Sequence, residues 1–295
     1  MAFRYICIAL LIALIFGFNS VVVKLGVESV NPFMYAAWRY ILVWPLLLFV
    51  PPPKTSWKNV VLVSGAVGIT VTLAAVILYL GVGAGISSVV MQTQVFITAL
   101  LAIWLWKEWP TRYGWVGMIV AFVGVTFITA RMGGEVSYLG IFLMFCAALS
   151  WASNNIALRH VRGPNIIHMM IWGSLVMPGP LMILSAIFYG PQSVIENPLN
   201  FSAMTISSII FSGFASGLGG SILTGILLKH NRATVVAPFM LLIPLSSLLF
   251  AYFLLGETLT FLSSMGCLLV LVGLAINQYG QKERDARGLM EVEAE

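Results

Sequence analysis

Residues 108–124, EWPTRYGWVGMIVAFVG, and residues 257–273, ETLTFLSSMGCLLVLVG, share a spacing: Glu108, Gly117 and Gly124 recur as Glu257, Gly266 and Gly273 at a constant offset of 149. The likeness joins the fourth and fifth apolar runs of the chain to the ninth and tenth. A second correspondence, Phe16, Asn19 and Lys24 against Trp151, Asn154 and Arg159 at an offset of 135, joins the first run to the sixth. Repetition over this distance reads as duplication of a five-helix unit. An odd number of crossings forces the two copies to lie in opposite senses in a membrane, and inverted repeats of this kind are built to hold a substrate near the midplane between halves.

Composition makes the membrane the solvent. Of 295 residues, 60% are hydrophobic and 8% charged, whereas a soluble domain carries about a quarter charged residues. A span needs about 20 apolar residues, and Pro, Gly and charged residues punctuate the chain at that interval. The expectation is an all-α membrane protein of ten transmembrane helices, near residues 4–26, 33–50, 59–80, 86–106, 113–130, 138–159, 166–189, 204–227, 233–255 and 261–280. They fall into a first repeat, 1–131, a second, 138–281, and a cytoplasmic tail, 282–295. The first run follows Arg4 but is longer than a signal-peptide core and lacks a small-residue cleavage site, so it is read as a retained span.

Basic residues set the orientation. With the N-terminus in the cytoplasm, twelve Lys and Arg lie on the inner side, among them Lys54, Lys58, Arg159 and Lys229, against Lys24, Arg39 and Arg131 on the outer side. Both termini then face the cytoplasm. The net charge of +5 is a topology signal, not a nucleic-acid patch. Cys7, Cys146 and Cys267 sit one to a run, without CxxC spacing or a neighbouring His, and read as small packing residues. Neither a metal nor another cofactor is expected.

Polar residues at membrane depth carry the functional argument, because an unpartnered amide in lipid costs several kcal/mol. Phe16 and Asn19 share a helix face, as do Trp151, Asn154 and Asn155, so both halves offer an aromatic and an amide at corresponding depths. Such amides either line a cavity or bond helix to helix. Gln92 and Gln94, in SSVVMQTQVFITALLAIW (87–104), lie about 200° apart around a helix, so at most one points squarely at a pocket. Arg39 suits a carboxylate, or snorkels to the nearby interface. Tyr79 and Trp172 either line the pocket or anchor at the membrane interface. Pro238 and Pro244 free backbone carbonyls in the ninth span and mark a break or hinge there.

Absences matter as well. No Asp or Glu falls in mid-span, and His160, His168 and His230 lie at cytoplasmic ends. Coupling through a buried ionisable group is therefore disfavoured, and movement down a gradient fits better. Neither a Walker A sequence nor HExxH is present, and amides are poor acids and bases, which argues against an enzyme. The longest connection, near 190–203, is too short for a receptor's soluble domain.

The stretches IFGFNSVVVKLG, AGISSVVMQTQVFIT, LSWASNNIALRH, MMIWGSLVMP and VVAPFMLLIP resemble the EamA-type, ten-helix branch of the drug/metabolite transporter superfamily over nearly the whole chain. The likeness is greatest to its exporters of cysteine and O-acetylserine, with the YddG-type exporters of aromatic amino acids sharing the fold. The resemblance implies export of neutral amino acids and related metabolites through the bacterial inner membrane, with lipid and a small molecule as partners. By position it nominates Asn19, Gln92, Gln94, Trp151 and Asn154 for the substrate. The family often has Trp where this chain has Phe16. A drug or lipophilic-cation exporter of the same superfamily is the alternative, and it calls for an embedded carboxylate.

Overall fold

The structure, a computed structural model, describes residues 3–27, 30–80, 90–129, 138–160, 166–195, 201–256 and 260–293. Outside the described residues lie Arg131, Glu196, Glu257 and the start of the expected fourth span at 86–89, together with the side chains of Lys24 and Tyr79. Among the described residues there are helices and no strands. Seven helical segments are long and apolar enough to cross a membrane: Phe3–Val23, Trp57–Ala74, Tyr138–Arg159, Ile166–Tyr189, Ala203–His230, Ala233–Leu254 and Phe261–Gly280. Two shorter apolar helices, Val90–Trp106 and Arg112–Ile128, accompany them.

Four of the runs expected as single helices are interrupted, each for a local reason. The second divides into Pro32–Ile41 and a 3-10 turn, Trp44–Leu48, that contains Pro45. Its start is well defined: Pro32 occupies the first turn, and the Asn31 side chain accepts a hydrogen bond from Met34 N at 2.9 Å. The seventh divides at Ser174–Met177, ahead of Pro178. The eighth passes through a π-helix, Phe211–Gly220. The ninth contains a 3-10 turn, Ala237–Leu241, which includes Pro238 and is followed by Pro244. The last helix differs in the other direction, continuing from Phe261 to Glu293 through the residues read as a tail. Residues 281–293, QKERDARGLMEVE, contain no proline and many good helix formers, so the end of the apolar run gives the backbone no reason to stop.

Helices Arg112–Thr129 and Phe261–Glu293 pack along a seam of glycines. Gly117 meets Gly273 and Gly124 meets Gly266, so the helices run antiparallel. A Cβ on Gly124 would lie 2.6 Å from Gly266 O, and one on Gly266 would lie 2.6 Å from Gly124 O. Only a hydrogen at both positions allows this approach. Asn277, fully buried in the seam, donates from Nδ2 to Gly114 O at 3.2 Å.

The ends of the preceding helices also correspond. Lys107 closes the Gln94–Trp106 helix with φ 54°, and Gly256 closes Leu242–Leu255 with φ 67°, 149 positions later. Both are left-handed caps. Just past Lys107, Glu108 forms a bidentate ion pair with Arg159 at the end of the Tyr138–His160 helix. The Arg159 guanidinium also lies 4.4 Å from the centre of a Trp106 ring. Planar pairing plus stacking explains why an arginine fits here better than a lysine would.

The seam makes a sharp prediction. Gly124→Val must push two backbones apart and should lower the melting temperature of the detergent-purified protein by about 5–10 °C. Gly65, in the Trp57–Tyr79 helix, has nothing within 4 Å of its would-be Cβ, so Gly65→Ala should leave the melting temperature unchanged or raised. Equal stability of the two variants would contradict the close approach.

Candidate functional site: a cavity beside a π-helix

The segment Phe211–Gly220, FSGFASGLGG, organises the interior. A π-helix bonds i to i+5 and is rare beyond a single turn. Small residues suit it here because they bring neighbouring helices close. A Cβ on Gly213 would lie 2.8 Å from Arg39 O, and one on Gly220 would lie 2.9 Å from the Phe16 ring.

Polar side chains gather on the same segment. Ser212 Oγ donates to Asn19 Oδ1 at 2.7 Å and lies 2.8 Å from Tyr35 Oη. Tyr35 Oη is also 2.6 Å from Ser208 Oγ, which donates to Val22 O at 2.7 Å. Arg39 Nη2 donates to Ser212 O at 3.3 Å. Phe16, beside Gly220, makes an edge-to-face contact with Trp151, ring centres 5.7 Å apart and planes at 78°. Four residues selected from the sequence, Phe16, Asn19, Arg39 and Trp151, thus meet around a stretch that the sequence reading passed over. Its signal was there: SGFASGLGGS, residues 212–221, is a run of small residues inside an apolar span.

A cavity of about 50 Å³ opens against this segment, enough for a few water molecules. Its wall includes Arg39, Ser64, Ser174, Ser212 and Ser221, with Val43, Val67 and Met170 as apolar surface. Among the described residues, no acidic one lines it.

The glutamines lie elsewhere and face different partners. Gln92 Nε2 donates to Met240 O at 3.0 Å. In an unbroken helix that carbonyl would receive the N–H of residue 244, which is a proline and has none. Gln92 therefore supplies from another helix the donor that Pro244 removes. Gln94 Oε1 accepts from Asn155 Nδ2 at 3.2 Å, and the same Nδ2 lies 3.4 Å from Thr98 Oγ1. Asn154 Oδ1 is buried without a partner among the described residues. Trp172 lies off the cavity. Its Nε1 donates to Val50 O at 3.0 Å, and its ring meets Trp57 edge-on at 5.9 Å. Pro178 repeats the Gln92 arrangement: it leaves Ser174 O without its helical donor, and Trp44 Nε1 supplies one at 3.3 Å.

The profile of the EamA-like transporter family matches residues 3–130 and, separately, 138–278. The chain belongs to the EamA-like transporter family. It is similar to the probable amino-acid metabolite efflux pump of Escherichia coli, 32% identical over 291 residues that cover 95% of this chain and 96% of the relative. The pump of the same name in Salmonella typhimurium is 31% identical over 289 residues, 94% and 95% of the two chains. The uncharacterized transporter YoaV of Bacillus subtilis is 24% identical, covering 91% of this chain and 94% of its own. A solved crystal structure superposes with a TM-score of 0.78 over 93% of this chain and 96% of that one, at 14% identity. It shares the fold. This family member is thus a multi-pass membrane transporter and not an enzyme.

The Gln92 contact is testable through stability. Gln92→Leu removes the side-chain donor from Met240 O, which keeps only the shared Leu242 N–H, and should cost about 1 kcal/mol, read as a lower melting temperature. Gln94→Leu leaves Asn155 with Thr98 and should cost less. A Gln92→Leu protein that melts with the parent would mean that the carbonyl beside Pro244 is satisfied in another way.

Proposed function

We propose that this transporter exports neutral amino acids and related metabolites, aromatic and sulfur-containing ones included, from the bacterial cytoplasm across the inner membrane by alternating access. The observation that carries the reading is an acid-free, serine-lined cavity with a single arginine, beside the Phe16–Trp151 pair. A substrate with a carboxylate, an ammonium group and a variable side chain needs polar donors and acceptors at one end and aromatic surface at the other. The names of the Escherichia coli and Salmonella typhimurium relatives support the substrate class.

The architecture we infer is ten spans in two inverted five-helix repeats, with both termini cytoplasmic. The seven long segments and two shorter apolar helices, with the broken Pro32–Leu48 segment, supply the ten. Three features support the repeat. The family profile matches twice, the left-handed caps at Lys107 and Gly256 recur at the offset of the glycines, and Phe16 touches its counterpart Trp151. Residues related by a two-fold axis touch only near that axis. The interior around Phe16 and Trp151 is then where the halves can rock against each other.

Liposome counterflow tests the function. Vesicles loaded with L-phenylalanine or L-cysteine should take up the labelled amino acid without an imposed pH difference, because no Asp, Glu or His among the described residues lines the cavity. Trp151→Ala should reduce the rate at least tenfold while the protein still reaches the membrane. Uptake that disappears when a proton gradient is collapsed would overturn the facilitator reading. Parental transport by Trp151→Ala would move the pocket elsewhere.

A further inference from the structure

Two polar atoms in the cavity wall lack what buried polar atoms require. Arg39 Nε is buried with no hydrogen-bond partner, and so is Ser64 Oγ. Each would be an isolated cost in a finished interior, since buried donors are almost always paired. Here both residues line the same space. Ser64 reaches the wall because the facing residue is Gly173, where any Cβ would overlap the hydroxyl. Arg39 Nη2 gives a hydrogen to Ser212 O, while the neighbouring Nε–H has no partner. The Nε–Nη2 edge of a guanidinium is the one that can offer two parallel hydrogens to a planar, two-oxygen anion.

Charge and depth point the same way. Among the described residues no carboxylate lines the cavity or pairs with Arg39, so its half-buried charge stands in a largely apolar wall that a ligand's negative charge would complement. Ser212–Ser221 begins nine residues after the start of the Ala203–His230 span and ends nine residues before its close, leaving about 13 Å of helix on either side. Among the described residues the lining holds one guanidinium and no second cation. A monoanion is matched, whereas a phosphate dianion would be left half-neutralised.

We infer that the Arg39–Ser64 wall of this cavity is a carboxylate-binding subsite, with Arg39 gripping both carboxylate oxygens and Ser64 donating to one of them. This rests on the amino-acid reading only for the identity of the whole substrate; a site for a plain carboxylate stands without it. Bound there, an amino acid would be anchored by its carboxylate end with its side chain free to extend toward Phe16 and Trp151. Arg39 is then a specificity determinant: amines and amides that lack the anion are rejected because the guanidinium stays unpaired.

Isothermal titration of the purified protein with L-phenylalanine, L-phenylalaninamide and 3-phenylpropionate decides it. The parent should bind both carboxylates and take the amide at least about tenfold more weakly, the loss of one charged hydrogen-bonded contact. Arg39→Gln should lose about tenfold or more for both carboxylates and no longer separate acid from amide, and Arg39→Lys should fall between. Ser64→Ala, a milder change, should lose about threefold. Equal binding of acid and amide by the parent overturns the subsite without recourse to a variant, as does parental affinity in Arg39→Gln. If the parent ignores L-phenylalanine but binds 3-phenylpropionate through Arg39, the subsite stands and the amino-acid reading fails. If it binds neither carboxylate, the subsite is wrong.

Discussion

In the hydrocarbon core no water completes an unfinished hydrogen bond, so every interruption of a helix must be answered by a group from the protein itself. This constraint explains much of the interior. Pro244 leaves Met240 O open, and Gln92 closes it at 3.0 Å. Pro178 leaves Ser174 O open, and Trp44 closes it at 3.3 Å. Where the chain leaves its helical path at Pro51, Val50 O receives Trp172 Nε1 at 3.0 Å. Near the end of the first helix, Thr205 Oγ1 donates to Gly26 O at 3.0 Å. Donor and acceptor come from different segments in each case, so the chemistry that repairs a break also fixes one helix against another.

The same constraint separates what was legible in the sequence from what was not. The glycines at 117, 124, 266 and 273 repeat at one offset, and the tight seam they form needs nothing but their missing side chains. The polar residues were equally visible, but a linear pattern cannot tell an amide that lines space from one that mends a helix. Gln92 and Gln94 are the clear instance: a shared interval of two residues sends one to a proline-freed carbonyl and the other to Asn155. Arg39 looked close to the outer surface by its place in the chain. Its guanidinium bonds Ser212 O on the π-helix and lines the cavity wall, a partner that its place in the chain does not reveal. The π-helix escaped notice because glycine and serine in an apolar run usually signal close packing, not a change of helical period.

Small residues and prolines therefore divide the labour. Glycine lets backbones meet where the Arg112–Thr129 and Phe261–Glu293 helices must stay together. Proline and the widened π-turn interrupt the Ala203–His230 and Ala233–Leu254 spans, beside the cavity and against Gln92. The close seam and the interrupted wall are made by different residue types on different helices.

Of the interrupted segments, one, Pro32–Leu48, lies in the first half of the chain, whereas Ile166–Tyr189, Ala203–His230 and Ala233–Leu254 lie in the second, and the π-helix occurs only there among the described residues. Had the halves been identical, exchanging their conformations would turn an inward-open protein into an outward-open one of equal free energy. In the inverted-repeat carrier proposed above, the π-helix and the Pro238–Pro244 turn would remove that degeneracy and make one orientation the resting state. A gap of about 1–3 kcal/mol would favour it roughly 5- to 150-fold. Such a bias governs how quickly an empty carrier returns to collect its next molecule. It would leave the direction of net flow untouched: in a facilitator, equilibrium is reached when substrate concentrations on the two sides are equal, however lopsided the protein that carries it.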